Sequence, residues 1–317
     1  MTRPDAMPVK GCCVPQRDTA VTRAPDIRPA TAGTAAGDWG VPIPGGPATI
    51  GTDAPVFPAD GEAPARRVML RPYRLDAHAV TNGRFAAFVD ATGYRTEAER
   101  HGWSFVFHAF VPQGLDTPAP EQTPWWRRVD GACWSAPEGP GSSVADRLDH
   151  PAIHIAWSDA ATFAAWAGGR LPTEAEWEHA ARGGKPAAPF PWGTAEPDDT
   201  GTLPCNIWQG DFPHCNTGAD GFVGTAPVGG FMPNGYGLYQ MCGNVWEWCA
   251  DTFRIRSLSR TAKTRNLTAS EGRERVMKGG SYLCHRSYCY RYRIAARVGH
   301  PPDTSAGHTG FRVAYDS

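Results

Sequence analysis

Glycine and proline together make up more than a fifth of this chain, and no other feature restricts its fold as strongly. The sequence has 36 Gly and 30 Pro among 317 residues. Proline interrupts helices and strands because it lacks a backbone N–H, and glycine favours turns. The 12 Trp and 13 Phe exclude a disordered polymer. The composition therefore predicts a loop-rich globular fold with a core of large aromatic side chains.

Short helices are predicted where apolar residues recur at helical spacing. The predicted helices span residues 81–93, 156–168 and 172–182. Ser158 is the expected N-cap of the second helix, and Thr173 with Glu176 fits a capping box at the third. Because Glu174, Glu176 and Glu178 are spaced by two, we expect them to scatter around the helix surface, without forming a catalytic carboxylate pair.

The remaining chain favours short strands within one domain. Residues 41–52 and 68–75 are typical of strands, and from residue 183 onward we expect only short strands and long turns. Residues 1–40 are rich in Ala, Pro, Thr and Arg, which predicts a flexible tail. Residues 41–317 contain no internal repeat and no linker, and they are predicted to form a single domain.

Charge and cysteine content restrict the partners and the compartment. The 31 basic and 32 acidic residues give a net charge of -1, so no global field attracts nucleic acid or an anionic membrane. No apolar run has the length of a membrane span or forms the core of a signal peptide. The nine cysteines cannot all pair within one chain. We expect a cytoplasmic protein with mostly free thiols.

Cys284 and Cys289 form the densest chemical signal in the sequence. They are five residues apart and are flanked by His285, Arg286 and Arg291. Cationic neighbours lower the pKa of a thiol, which predicts an accessible thiolate. Two thiolates suit a soft ion such as Cu(I), or zinc if further ligands converge. Inert buried cysteines and a local disulfide are the other interpretations of this spacing.

Residues 279–297, which contain both cysteines, resemble the active-site segment of formylglycine-generating enzymes. Other family signatures are matched in the same order by residues 168–184, 206–210, 220–222, 234–239, 243–248 and 310–312. The resemblance extends over residues 41–317 and is to the bacterial type. It implies an α+β fold, a variant of the C-type lectin-like architecture with little regular secondary structure.

The resemblance also implies an activity. Cys284 and Cys289 would bind Cu(I) and leave room for a third thiolate, from the substrate. The enzyme would be a copper-dependent oxidase that uses O2 to convert the cysteine of a Cys-x-Pro-x-Arg motif into Cα-formylglycine. Its partner would be an unfolded or partly folded sulfatase polypeptide. Ser281 and Tyr288 match positions that line the oxygen and substrate pocket.

Four further residues are predicted to contact the substrate. Trp246 matches an aromatic wall of the pocket, and packing in the core is its alternative role. His285 and Arg286 adjoin the cysteines. His308 stands where the family often has Asn, and we expect it at the edge of the substrate groove.

Structural calcium is a second property that the resemblance implies, since mixed side-chain and backbone oxygens suit Ca²⁺. The first site would comprise the side chains of Asn206 and Asp220 and the carbonyl groups of Ile207 and Phe222. The second would comprise the side chains of Gln240 and Glu247 and the carbonyl groups of Gly243 and Val245. Gln240 stands where Asn is more usual, and we expect this longer ligand to weaken the second site.

Two other functions remain open for this family resemblance. The first is a non-catalytic binding module of the same fold that keeps its cysteines as inert thiols. The second is an iron-dependent enzyme like the sulfoxide synthases, which would need a convergent set of histidines.

The tail itself contains Cys13-Val-Pro-Gln-Arg17, which has the Cys-x-Pro-x-Arg form of the family's client motif. A chance match in a Pro- and Arg-rich tail is one interpretation. The other is a weak competitor that binds at the chain's own active site or at that of another molecule.

Overall fold

The computed structural model describes residues 15–17, 40–185, 188–199 and 203–317. Every helix within these residues falls short of the length and apolar character of a membrane span. The predicted flexible tail lies outside the described residues except for residues 15–17 and Gly40, which begins the first strand.

Regular elements are short and are separated by long turns, as the glycine and proline content predicts. The α-helices are α1 Asn82–Thr92, α2 Glu97–His101, α3 Trp157–Trp166, α4 Glu174–Arg182 and α5 Arg260–Glu271. The strands are β1 Gly40–Ile43, β2 Gly46–Ile50, β3 Arg66–Leu70, β4 Tyr73–Asp76, β5 Trp103–Phe107, β6 Trp126–Asp130, β7 Gly210–Asp211, β8 Cys215–Asn216, β9 Trp246–Thr252, β10 Arg275–Lys278, β11 Val298–His300, β12 Thr309–Gly310 and β13 Ala314–Asp316.

The central sheet has four strands in the order β11, β10, β9, β12. Strand β12 runs parallel to β9, and the other pairs in this sheet are antiparallel. A second sheet, in the order β1, β4, β13, joins the first strand to the last. Three two-stranded ladders, β2–β3, β5–β6 and β7–β8, complete the strand pairing among the described residues.

The register of the central sheet places three distant segments together. Lys278 pairs with Glu247, so the chain that continues from β10 leaves the sheet beside the start of β9. Thr309 pairs with Trp246 at that same start. The residues after 278, the residue Trp246 and the residues before 309 therefore meet at one end of the sheet.

Local capping explains where the predicted helices begin and end. Thr81 caps α1 by accepting a hydrogen bond from Arg84 N, and Gly93 ends that helix in the left-handed conformation. The capping box of Thr173 and Glu176 at α4 is confirmed. The prediction that Ser158 caps α3 is wrong. That helix begins at Trp157, and the Asp159 carboxylate accepts from Ala156 N.

Two other local predictions are wrong. Residues 68–75 form two strands, because Pro72 lies between β3 and β4 and cannot donate to a ladder. The region after 183, expected to hold only strands and turns, contains the twelve-residue helix α5. Ser259 caps that helix by accepting from Ala262 N. A helix with so few buried side chains lacks the apolar periodicity used for the prediction.

The glutamates of α4 are buried, contrary to the expectation that they scatter around the surface. Glu174 and Glu178 are four residues apart and share a helix face that turns inward. Glu178 accepts a 2.7 Å hydrogen bond from Lys278 Nζ, and Glu174 lies 2.6 Å from Arg297 Nε. Both carboxylates thus pair with cationic side chains of the protein itself. They hold both ends of the segment that carries the cysteine pair.

Candidate active site

The cysteine segment leaves β10 through a turn that requires glycine. Gly279 and Gly280 have φ of 92° and 70°, and a Cβ on Gly280 would lie 3.0 Å from the backbone of Tyr292. Asp60 accepts a 2.6 Å hydrogen bond from Arg291 Nε, and Arg293 pairs with the buried carboxylate of Glu62. These contacts fix the segment on both sides of the thiols.

Cys284 and Cys289 come together within this segment. Their sulfur atoms are 3.1 Å apart, well beyond a disulfide bond length, so both are thiols. A tight turn places them, because Cys289 N donates to His285 O at 2.8 Å and Cys284 N to Ser281 O at 2.9 Å. Ser281 N also donates to Cys284 Sγ at 3.4 Å. Each cysteine is only 2 % exposed.

The expected lowering of the thiol pKa by cationic neighbours is wrong for Cys284. Burial raises the pKa of this thiol well above its usual value, and the hydrogen bond with Cys289 adds to the increase. Arg291 opposes the shift with a smaller effect. Arg286 is exposed on the surface, and the adjacent His285 bonds Ser287 Oγ. The Cys284 thiol therefore lies in an apolar environment that disfavours its thiolate form.

A small aromatic cavity opens beside the two thiols. It is lined by Trp125, Trp126, Phe212, Trp246, Ser281, Leu283, Cys284, Tyr288, Cys289 and His308. The cavity volume is about 10 Å³, close to the space of one water molecule. Tyr288 stacks on Phe212 with ring centroids 4.1 Å apart and meets Trp125 edge-on at 5.0 Å.

Three residues that line this cavity carry buried polar atoms without partners. Within the described part of the chain, Trp126 Nε1, Trp246 Nε1 and both ring nitrogens of His308 are buried and have no hydrogen-bond partner. Burial lowers the pKa of His308 to about 3, so its ring is neutral. Buried polar atoms normally have partners. Four unpaired nitrogens around one cavity indicate that a polar ligand or water belongs there.

The chain is similar to known proteins over most of its length. The family model described as "Sulfatase-modifying factor enzyme 1-like domain" matches residues 26–317. The formylglycine-generating enzyme of Thermomonospora curvata is 56 % identical over 283 residues, which cover 87 % of this chain and 93 % of that protein. The mouse formylglycine-generating enzyme is 52 % identical over 280 residues, which cover 87 % of this chain and 74 % of that protein.

The chain belongs to the formylglycine-generating enzyme family. The solved structure of PvdO from Pseudomonas aeruginosa has a TM-score of 0.58 at 25 % identity and covers 88 % of this chain and 94 % of that one. The predicted α+β fold with little regular secondary structure is therefore confirmed.

The site residues predicted from the resemblance to formylglycine-generating enzymes divide into those that line the cavity and those that do not. The structure brings Ser281, Tyr288, Trp246 and His308 to the cavity beside both cysteines. His308 is inside the cavity and 1 % exposed, not at the edge of a groove as expected, because Trp246 N donates to its carbonyl at 2.9 Å and holds it inward. His285 and Arg286 do not line the cavity.

The residues predicted for the first calcium site converge. Asp220 accepts hydrogen bonds from Ile207 N at 3.2 Å and Phe222 N at 2.9 Å, which closes a compact loop. Asn206 is buried, and its Oδ1 has no hydrogen-bond partner among the described residues. An unpaired buried oxygen on the residue before Ile207, whose N–H bonds the Asp220 carboxylate, fits a hard cation. Gln209, which the sequence did not indicate, bonds both Ile207 O and Asp220 Oδ2 at this position.

The second predicted calcium site fits less well. Gly243 and Val245 lie on the tight turn before β9, and Gln240 Oε1 is buried without a partner among the described residues. Glu247, however, already accepts two 2.7 Å hydrogen bonds from Arg312. It accepts a third from Trp177 Nε1 at the same distance. Few lone pairs remain for a cation.

Sequence reasoning missed part of the cavity wall. Trp125 and Trp126 reach it from the start of β6, and Phe212 reaches it from the turn between β7 and β8. No local pattern distinguishes these three from other aromatic residues. Groups of three or more His, Cys, Asp or Glu that could hold a metal do not occur among the described residues. The histidine cluster that an iron-dependent enzyme would need is thus missing from this part of the chain.

Proposed function

We propose that this chain is a copper-dependent oxidase that converts the cysteine of a Cys-x-Pro-x-Arg motif in sulfatases into Cα-formylglycine with dioxygen. The observation that carries the proposal is the pair of buried thiols 3.1 Å apart on the wall of an aromatic cavity. The names of the two relatives support the formation of formylglycine.

The donor set of the cavity fits a soft monovalent metal. Cys284 and Cys289 present two sulfur atoms, and the cavity lining has no carboxylate. Soft thiolates select Cu(I) over hard cations. The two cysteines would hold the ion, and copper when bound would supply the redox chemistry that activates dioxygen.

The other lining residues would orient the substrate and exclude water. The stacked rings of Tyr288 and Phe212, with Trp125 beside them, form an apolar wall for the methylene group of the substrate cysteine. Neutral His308 and Trp246 Nε1 offer unpaired hydrogen-bonding atoms to a small polar species. Ser281 Oγ, which accepts from Leu283 N at 3.3 Å, keeps its proton available for donation into the cavity.

The electron balance of the reaction requires a reductant. Oxidation of the thiol-bearing methylene to an aldehyde, with release of sulfide, provides two electrons. Reduction of dioxygen to water consumes four, so an external thiol or a similar reductant must provide the other two. None of the seven described cysteines forms a disulfide, which agrees with a reducing compartment, and we propose the cytoplasm.

Recognition of a linear motif requires an extended client. A peptide of this form can reach a cavity only before the sulfatase folds, so we propose an unfolded or partly folded polypeptide as the substrate. We also propose structural Ca²⁺ at the site of Asn206 and Asp220.

The experiment that tests the function is mass spectrometry of a synthetic Cys-x-Pro-x-Arg peptide after incubation with protein, Cu(I), reductant and air. We expect an aldehyde product that disappears without oxygen. The variants Cys284→Ser and Cys289→Ser should each bind less copper and form no product. Cys215→Ser removes an exposed thiol outside the cavity and is the matched control, with both properties retained.

Folded, copper-loaded protein that leaves the peptide unchanged would refute the oxidase and favour a binding module with inert thiols. Equal copper binding by wild type and all three variants would refute the assignment of Cys284 and Cys289 as the copper ligands.

A further inference from the structure

The part of the N-terminal segment that the structure describes, residues 15–17, docks onto the folded domain. Arg17 donates through Nε to Asp303 O at 3.2 Å, through Nη1 to Trp103 O at 3.0 Å and through Nη2 to Ser305 Oγ at 2.5 Å. Its guanidinium also lies 4.1 Å from the centre of the Trp103 ring. Pro15 is buried. We call the surface formed by Trp103, Asp303 and Ser305 the arginine site.

The arginine site is built for a guanidinium. Two backbone carbonyls and a hydroxyl match the planar donor fork of arginine, and the indole ring of Trp103 supports its face. Carboxylates of Asp303, Asp159 and Glu97 stabilise the positive charge, although burial lowers the pKa of Arg17 to about 10. The group stays cationic at neutral pH. The ammonium group of lysine has its three donors on one nitrogen, so it cannot reproduce this planar fork or lie flat against the indole ring.

The hydroxyl that accepts from Arg17 is itself held in place. Ser305 is fully buried, and its Oγ lies 2.9 Å from Ser104 Oγ. Ser104 Oγ in turn lies 2.8 Å from His154 Nδ1, and His154 Nε2 contacts Pro137 O at 2.9 Å. This chain of hydrogen bonds preorganises the arginine site, so that binding does not require the hydroxyl to be ordered.

Strand β5 connects the arginine site with the thiol cavity. Trp103 begins the strand, and Phe107 ends it four residues later. Phe107 packs against Trp126 and Phe212, two of the residues that line the cavity. Four residues of extended chain span about 13 Å.

The client motif has the same spacing, since its cysteine precedes its arginine by four residues. In this chain Cys13 precedes Arg17 by four residues; Cys13 lies outside the described residues. An extended peptide anchored by arginine at Trp103 therefore has the length needed to bring a cysteine to the cavity.

We infer that the N-terminal segment is an internal occupant of the client groove, bound through Arg17 in the arginine site, and that a client must displace it. This inference rests on the proposed function, because it takes the client to be a Cys-x-Pro-x-Arg peptide. The segment and the enzyme are one chain, so docking occurs at a high effective concentration. Client affinity is reduced by the fraction of molecules that are occupied.

The test compares full-length wild type with Arg17→Ala and with Arg23→Ala, a control that removes another arginine of the same N-terminal segment. A fluorescent peptide in which serine replaces the motif cysteine reports binding to metal-free protein by anisotropy, and the cysteine peptide reports KM with copper. We expect Arg17→Ala to lower both Kd and KM about twofold or more, because occupancy of half the molecules halves the competent fraction. Arg23→Ala should match the wild type.

Trypsin measures docking without any client. Cleavage after residue 17 should be faster in Arg17→Lys than in wild type, relative to cleavage after Arg23 in the same molecule. Trypsin does not prefer lysine over arginine, so faster cleavage in Arg17→Lys would report the loss of docking. Addition of client peptide should also accelerate cleavage after Arg17 in the wild type.

The outcomes separate the two proposals. Turnover by all three proteins with equal Kd and KM would overturn the internal occupant and leave the oxidase intact. A lower Kd for Arg17→Ala without turnover would overturn the oxidase alone. Absence of peptide binding to every protein, or equal tryptic cleavage in Arg17→Lys and wild type, would overturn the internal occupant.

Discussion

The buried ion pair of Lys278 and Glu178 permits a quantitative prediction. Lys278 immediately precedes the glycine turn of the cysteine segment, its side chain is 0 % exposed, and its Nζ lies 2.7 Å from Glu178 Oε1. At that distance the attraction is about 6 kcal/mol for an effective dielectric constant of 20. Replacement by methionine removes this attraction and also the cost of burying the ammonium group. Among the described residues, the Glu178 carboxylate then keeps Arg182 at 3.7 Å and Gly51 N at 2.8 Å.

We therefore expect Lys278→Met to lower the free energy of unfolding by about 3–5 kcal/mol, since it leaves a buried charge without its main partner. The double variant Lys278→Met/Glu178→Gln should recover most of that loss. Its neutral amide still accepts from Gly51 N and no longer needs a cation. Asp130→Asn is the matched control, because it breaks an ion pair whose carboxylate side chain is 81 % exposed and should cost below about 1 kcal/mol.

Urea unfolding followed by tryptophan fluorescence measures these differences, and an unchanged m value shows that the unfolded reference is comparable. A cost for Lys278→Met no larger than that of Asp130→Asn would refute the argument from burial. So would a double variant as unstable as the sum of the two single variants, because it would show that the charges do not interact.

Three further predictions concern stability. Chelation of calcium should lower the Tm of wild type, by an amount equivalent to about 3 kcal/mol at free calcium a hundredfold above its Kd, and leave Asp220→Asn unchanged in a scan with and without chelator. Thr173→Ala should cost about 1 kcal/mol by loss of the α4 cap, whereas Thr173→Ser should retain the cap in the same denaturant assay. Burial lowers the pKa of His154 to about 4, below its unfolded value of 6.5, so the unfolded state binds more protons between these values. Stability should fall by up to about 3 kcal/mol from pH 6.5 to pH 4, and His154→Gln should flatten this dependence while exposed His214→Gln does not.

Local features were predictable because their physics is local. The Thr173 and Glu176 capping box, and the left-handed Gly93 that ends α1, follow from residues within one turn of the helix. The cysteine pair and its order among the other family signatures were also evident from the sequence. Helix α5 was missed because its weak apolar periodicity provides no local signal.

What only the tertiary structure decided is the environment of those residues. The Cys284 pKa rises because distant segments bury the thiol, an effect that outweighs the nearby cations from which the opposite shift was expected. Glu178 and His308 are internal because the central sheet pairs β9, β10 and β12 there. The Cys-x-Pro-x-Arg motif of the N-terminal segment was evident from the sequence. The arginine site that binds Arg17 could not be predicted from the sequence. Trp103 and Ser305 are about two hundred residues apart and meet only when the domain folds.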